Sequence, residues 1–120
     1  MISYEKLEVY QLSLSCIEQC IAMSVSLPKG YSDLNSQLKR AVFSVALNIA
    51  EGAGKSAKPD KRRYYDIARG SAMETAAICD VIFRLGLLPT EQHRAIKKLL
   101  HRIISMLSKL SINLERQNVD

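Results

Sequence analysis

The sequence has no tryptophan, two phenylalanines, five glycines and three prolines among its 120 residues. So little glycine and proline leaves scant material for the many turns of an all-β fold. The shortage of Trp and Phe argues against an aromatic-rich binding platform. No uninterrupted apolar run approaches bilayer length, so no membrane span is expected. Cysteine is scarce and odd in number, with Cys16, Cys20 and Cys79. The amino terminus reaches charge at Glu5 and Lys6, which is not the pattern of a secretory leader, and a reducing cytoplasm is the expected compartment. Cys16 and Cys20 stand at i,i+4 and would share a metal only with further ligands, but His93 and His101 lie far away in sequence. The three are expected as buried small apolar side chains, with no metal and no cofactor.

What is present is an apolar content of 48% beside 24% charged residues, the composition of one folded domain over 1–120 that needs no disulfide or metal to hold a core. The net charge of +5 is unevenly distributed. Residues 1–54 carry four basic and five acidic side chains, and residues 55–120 carry thirteen and seven. A basic second half suggests an anionic partner, nucleic acid rather than membrane.

Apolar spacing predicts four helices. In the first, capped by Ser3, Leu7, Tyr10, Leu14, Ile17 and Ile21 step by three and four. Pro28 and Gly30 end it. Ser32 reads as the next N-cap, with Asp33 in the first turn, and the second helix runs to Gly52–Gly54. Pro59 suits the first turn of a third helix that runs through Leu85 and stops at Gly86. Thr90 reads as the cap of a fourth, whose Ile96, Leu100, Ile103, Leu107, Leu110 and Leu114 form the cleanest apolar line in the chain. Short connections make neighbouring helices antiparallel, which gives an all-α, up-down-up-down four-helix bundle. The residues at 117–120 are expected to fray.

Polar residues interrupt this pattern in the middle of the chain. On the second helix Gln37, Arg40, Ser44, Asn48 and Glu51 form a polar seam. Leu34, Leu38, Ala41, Val45 and Ile49 flank it on one side, Phe43 and Leu47 on the other. On the third, Ser71 and Glu74 fall in an apolar line through Ile67, Ile78, Val81 and Leu85. A carboxylate on a core stripe needs a partner, because an unpaired buried charge is costly. Arg40 is the natural clamp for Glu74, with Asn48 and Ser71 completing a network that fixes helix register or a subunit contact. The competing reading makes Glu51 and Glu74 a catalytic acid and base. No nucleophile, histidine or phosphate loop gathers around them, so no enzyme is expected.

The same residues carry a resemblance. Gln37-Leu38-Lys39-Arg40-Ala41, Ser44, Asn48-Ile49-Ala50-Glu51-Gly52, Ile67-Ala68-Arg69-Gly70-Ser71 and Glu74 resemble the four-helix-bundle proteins related to the bacterial 23S rRNA intervening-sequence protein. The opening Tyr4-Glu5-Lys6-Leu7-Glu8-Val9-Tyr10-Gln11 and the Leu85-Gly86-Leu87-Leu88 turn match as well, so the likeness spans nearly the whole chain. It implies a non-enzymatic helical bundle that assembles as a homopentamer, a barrel with a central channel. Some members of that family are encoded inside insertions in rRNA genes. Distant relatives are accessory proteins of diversity-generating retroelements that bind nucleic acid and a reverse transcriptase. The family supplies no catalytic residues to carry over.

Two basic clusters are the candidate nucleic-acid contacts. Lys55, Lys58, Lys61, Arg62 and Arg63 open the third helix beside Tyr64 and Tyr65. Arg94, Lys97, Lys98, His101, Arg102 and Lys109 lie on the fourth, with no acidic residue from 92 to 114. Lys and Arg on a rigid face suit salt-dependent phosphate contacts with little base specificity. A solvated helix face is the plainer explanation of such a stripe. Tyr64 and Tyr65 either stack on unpaired bases or pack between helices. Tyr65, Ala72, Ala76 and Phe83 form a second apolar face that would suit a subunit interface. The expected function is an oligomeric RNA- or DNA-binding accessory protein, with RNA favoured, and the alternative is a protein–protein scaffold.

Overall fold

The computed structural model describes residues 2–117. Four α-helices form a bundle: α1 (Glu8–Val25), α2 (Ser32–Ala53), α3 (Lys58–Arg84) and α4 (Thr90–Gln117). Short 3-10 turns at Ser3–Lys6 and Lys29–Tyr31 precede α1 and α2, and no strand occurs among the described residues. The molecule measures 51 × 23 × 22 Å. Helix α1 touches α2 and α4, α3 touches the same two, and the diagonal pairs stay apart, so the helices sit at the corners of a square. No described helix is long and apolar enough to cross a membrane. The expected fraying falls on residues outside those described, apart from Gln117, the last residue of α4.

Three helix starts differ from expectation. Ser3 opens a 3-10 turn, and neither Leu7 before α1 nor Tyr31 before α2 makes a side-chain capping bond. Ser32 and Thr90 are the first residues inside their helices rather than the caps before them. Pro59 does sit in the first turn of α3, where its missing N–H leaves no helical bond unmade. Gly86 follows α3 with φ 75°, a left-handed conformation that suits glycine and turns the chain toward α4.

The core is contiguous, and α4 contributes as its pattern predicts: Ile96, Leu100, Ile103 and Leu107 are fully buried. On α1 the buried line is instead Val9, Ser13, Cys16, Cys20 and Met23, while Leu7, Tyr10 and Ile17 are only partly covered. The core face of α3 is Tyr65, Ala68, Ala72, Thr75, Cys79 and Ile82. The line expected there is an outer one: Ile67, Val81 and Leu85 are exposed, Glu74 with them, and only Ile78 is buried. Small side chains explain the displacement, because Ala, Ser, Thr and Cys let helix axes approach closely and the larger residues are then turned outward. The second apolar face expected of α3 is thus mostly core.

Two close approaches fix the hairpins. A Cβ on Gly52 would stand 2.9 Å from the ring of buried Tyr65 and 3.1 Å from Tyr64 Cβ, so α2 and α3 meet there without room for a side chain. Between α3 and α4, the pairs Arg62–Glu115, Asp66–Ser111, Arg69–Ser108 and Asp80–Lys97 are all centred on one point of the connection, between Leu88 and Pro89.

Candidate nucleic-acid interface

The polar seam and the charged clusters behave differently once folded. In the groove between α2 and α3 the Ser44 and Ser71 hydroxyls are 2.7 Å apart. Asn48 donates to the Ser44 carbonyl and hydroxyl at 2.8 and 2.9 Å, and Thr75 donates to the Ser71 carbonyl at 2.8 Å. The network thus joins Ser44, Asn48 and Ser71. It does not include Arg40, Glu51 or Glu74, which are exposed and make no ion pair among the described residues. The expected Arg40–Glu74 clamp is absent within the chain because Glu74 is turned to the outer surface, where solvation removes the need for a buried partner.

That outer surface of α2 and α3 is unusually apolar. Leu47 is 68% exposed, Val81 48%, Ile67 42% and Phe43 39%. Charges of both signs, Arg40, Glu51 and Glu74, stand on the same two helices.

The first basic cluster lies at the turn between α2 and α3. Lys61 is half-buried and donates to the carbonyls of Gly52 and Ala53, each at 3.0 Å, so it closes the C-terminal end of α2. Arg62 reaches Asp66 at 3.7 Å and Glu115 at 3.4 Å. Lys61 serves the fold, while the Arg62 pairs are part-exposed and exchange readily with other anions. Lys55, Lys58 and Arg63 have no carboxylate partner among the described residues, and Lys55 and Arg63 both sit over the Tyr64 ring. The two tyrosines part company: Tyr65 is buried, its phenol pushed above its ordinary pKa by that burial, while Tyr64 is half-exposed.

The second cluster follows α4. Lys97 donates to both Asp80 oxygens at 2.8 and 3.0 Å, and His93 meets the same carboxylate at 2.8 Å while its ring stacks on Phe83. Desolvation pushes Asp80 upward, but hydrogen bonds and charge from Lys97 and His93 outweigh it, so the carboxyl lies below its ordinary range. Lys97 is therefore anchored. Arg94 pairs with Glu91 at 2.9 Å and Arg102 with Glu8, but these pairs are well exposed, and such contacts contribute about 0–1 kcal/mol and exchange readily with other anions. Lys98, His101 and Lys109 are exposed and unpaired among the described residues. Arg94, Lys98, Arg102 and Lys109 thus keep one side of α4 positively charged along most of its length.

A family model described as 23S rRNA-intervening sequence protein matches residues 5–109. The chain belongs to the 23S rRNA-intervening sequence protein family. A solved structure from Bacteroides thetaiotaomicron, described as a protein of unknown function from the S23 ribosomal protein family, has the same fold. It is 21% identical with a TM-score of 0.81, covering 86% of this chain and 97% of that one. No curated protein matches. The family segment includes the α2–α3 groove and both basic clusters.

Of the nine cations read as nucleic-acid contacts, then, the structure leaves Lys55, Lys58, Arg63 and Lys98 unpaired. Arg62, Arg94 and Arg102 stand in exchangeable pairs, and Lys61 and Lys97 are tied to the fold. The anchoring of Lys97 escaped the sequence reading, although Asp80 stands about as far before the α3–α4 turn as Lys97 stands after it. The cysteines are buried and unbridged, and no cluster of His, Cys, Asp or Glu fit for a metal occurs among the described residues.

Proposed function

We propose that this family member is a non-enzymatic, cytoplasmic accessory protein that binds nucleic acid through the exposed side of α4 and the α3 start. The carrying observation is the α4 stripe: Lys98, His101 and Lys109 lack carboxylate partners, Arg102 is loosely held, and no acid interrupts 92–114. Cations one helical turn apart, about 6 Å along a rigid axis, suit successive phosphates. The family's description, which names an rRNA, puts RNA ahead of DNA.

The protomer in this proposal is an up-down-up-down bundle, supported by the pairs that join α3 to α4 and by the Ser44–Ser71 contact. Its outer α2–α3 face, with Phe43, Leu47, Ile67 and Val81 beside Arg40, Glu51 and Glu74, is the surface through which copies would join, by family resemblance as a homopentamer. Arg40 would then find its carboxylate on a neighbouring copy. Repetition of the α4 stripe around a ring would add avidity.

The test is fluorescence anisotropy with structured RNA, single-stranded DNA and duplex DNA across a salt series, on protein whose mass is fixed by light scattering. Binding that weakens steeply with salt supports the proposal. A folded oligomer that binds none of the three at low salt overturns it. The exposed apolar face then favours the second reading, a scaffold for another protein.

A further inference from the structure

The two tyrosines at the start of α3 have separate fates. Tyr65 is buried against Gly52, and Tyr64 stays half-exposed at the molecule's α2–α3 end. Two cations attend the Tyr64 ring: Lys55 Nζ is 5.2 Å and Arg63 Cζ 4.7 Å from its centroid. Neither has a carboxylate partner among the described residues. Next to Arg63 lies an open depression of about 540 Å³ lined by Pro59, Arg62, Arg63, Asp66 and Ile67. Ile67 is exposed and one helical turn beyond Tyr64, on the same side of α3.

We infer that Tyr64, with Lys55 and Arg63, forms a stacking subsite for an unpaired nucleobase, so that this end of the molecule takes single-stranded nucleic acid; the inference rests on the nucleic-acid reading above. A half-exposed aromatic ring gives a flat apolar surface for a base, and the cations beside it neutralise the neighbouring phosphates. A duplex cannot use the ring, because its bases are already stacked on each other, and it engages only the charges. The α4 stripe, which has no Phe, Tyr or Trp, makes no such distinction. The chain therefore carries two kinds of contact: a charge-only stripe for any phosphate backbone and a terminal subsite that selects unpaired strands.

The experiment compares binding of a single-stranded RNA containing 2-aminopurine with binding of a fully paired RNA duplex, using the full chain. Wild-type protein is expected to quench 2-aminopurine on binding. Tyr64→Leu should weaken the single strand about tenfold, in line with the ~1–3 kcal/mol of one base–aromatic stack, and leave the duplex unchanged. Tyr64→Phe should behave as wild type. Lys98→Glu with Lys109→Glu should weaken the duplex and keep the quenching. The inference is overturned if Tyr64→Leu binds the single strand as wild type does, or weakens both ligands alike. If Tyr64→Leu does not fold, quenching by the wild type decides, and its absence on binding overturns the inference. Wild-type protein that binds neither ligand overturns the nucleic-acid reading itself, which separates the two failures.

Discussion

The Ser44 hydroxyl on α2 and the Ser71 hydroxyl on α3 meet at 2.7 Å across the groove between the helices. Asn48 adds a second bond to the Ser44 oxygen. Ser44→Ala should therefore lower stability by about 1 kcal/mol, the usual net worth of a partly buried hydrogen bond. Ser71→Ala should cost about the same. The double variant should cost less than the two added together, since each single change already breaks the same link. Urea unfolding of the three variants checks this, and full additivity would show that the hydroxyls do not act as a pair.

Gly52→Ala should destabilise by about 1–3 kcal/mol, because the new methyl would stand 2.9 Å from the buried Tyr65 ring and 3.1 Å from Tyr64 Cβ. Gly30→Ala, in open space, should not. Thermal melts of both variants give the comparison.

Leu100 and Leu47 separate the core from the outer face. Leu100→Ala empties a fully buried position and should cost about 2–5 kcal/mol. Leu47→Ser alters a side chain already 68% exposed and should change protomer stability by less than about 0.5 kcal/mol. It should instead reduce the assembled mass in light scattering. Unchanged mass with Leu47→Ser and Val81→Ser combined would remove the α2–α3 face from any self-assembly.

Asp80 should make stability depend on pH at the acid end. Its carboxyl lies below its ordinary value of 3.8 in the folded chain. The charged form therefore favours folding, and its contribution is present above that ordinary value and lost as pH falls through the lower folded one. The group is partly exposed, so the contribution is small, about 1 kcal/mol at most. Asp80→Asn should be slightly less stable than wild type at pH 7, and the gap should close as the pH falls below the ordinary value. A gap that persists in strong acid would point to lost packing instead of lost charge.

Lys98→Glu with Lys109→Glu should weaken binding to RNA and flatten its dependence on salt, by about one unit of slope for each phosphate left without its cation. These positions are preferable to Lys97 and Arg102, whose reversal would also break pairs with Asp80 and Glu8. Anisotropy titrations at several salt concentrations measure the slope. An unchanged slope would mean that α4 does not meet phosphate.

The sequence made some of this legible and hid the rest for a physical reason. The α4 core line was plain because large apolar residues hold one face without interruption. On α1 and α3 the deepest positions, Ile82 apart, are Ser13, Cys16, Cys20, Ala68, Ala72, Thr75 and Cys79, small or weakly polar side chains that suit close helix approach. A reading that follows Leu, Ile and Val is then drawn to the rim, to Leu14 and Ile21 on α1 and to Ile67, Val81 and Leu85 on α3. Glu74 looked buried for the same reason, and its clamp with Arg40 followed from that phase error. Ser44 and Asn48 were legible because they lie on α2, whose core phase is unambiguous, and Ser71 faces them from the edge of the α3 line. The basic positions were legible as charges, but which of them are tied to Asp80 or Glu115 depends on the α3–α4 register.

That register makes the α3–α4 hairpin a folded ruler. Four of its polar links join residues equally far from the crease between Leu88 and Pro89, and His93–Asp80 stands off that centre. One residue inserted in α4 before Lys97 would carry every partner beyond it about 1.5 Å along and roughly 100° around the axis, unmaking all four links at once. The same insertion between Lys98 and Ser108 would spare Asp80–Lys97 and lose three. Placed after Glu115, it would spare them all. Tolerance to insertion along α4 therefore rises stepwise with distance from the crease, one link at a time.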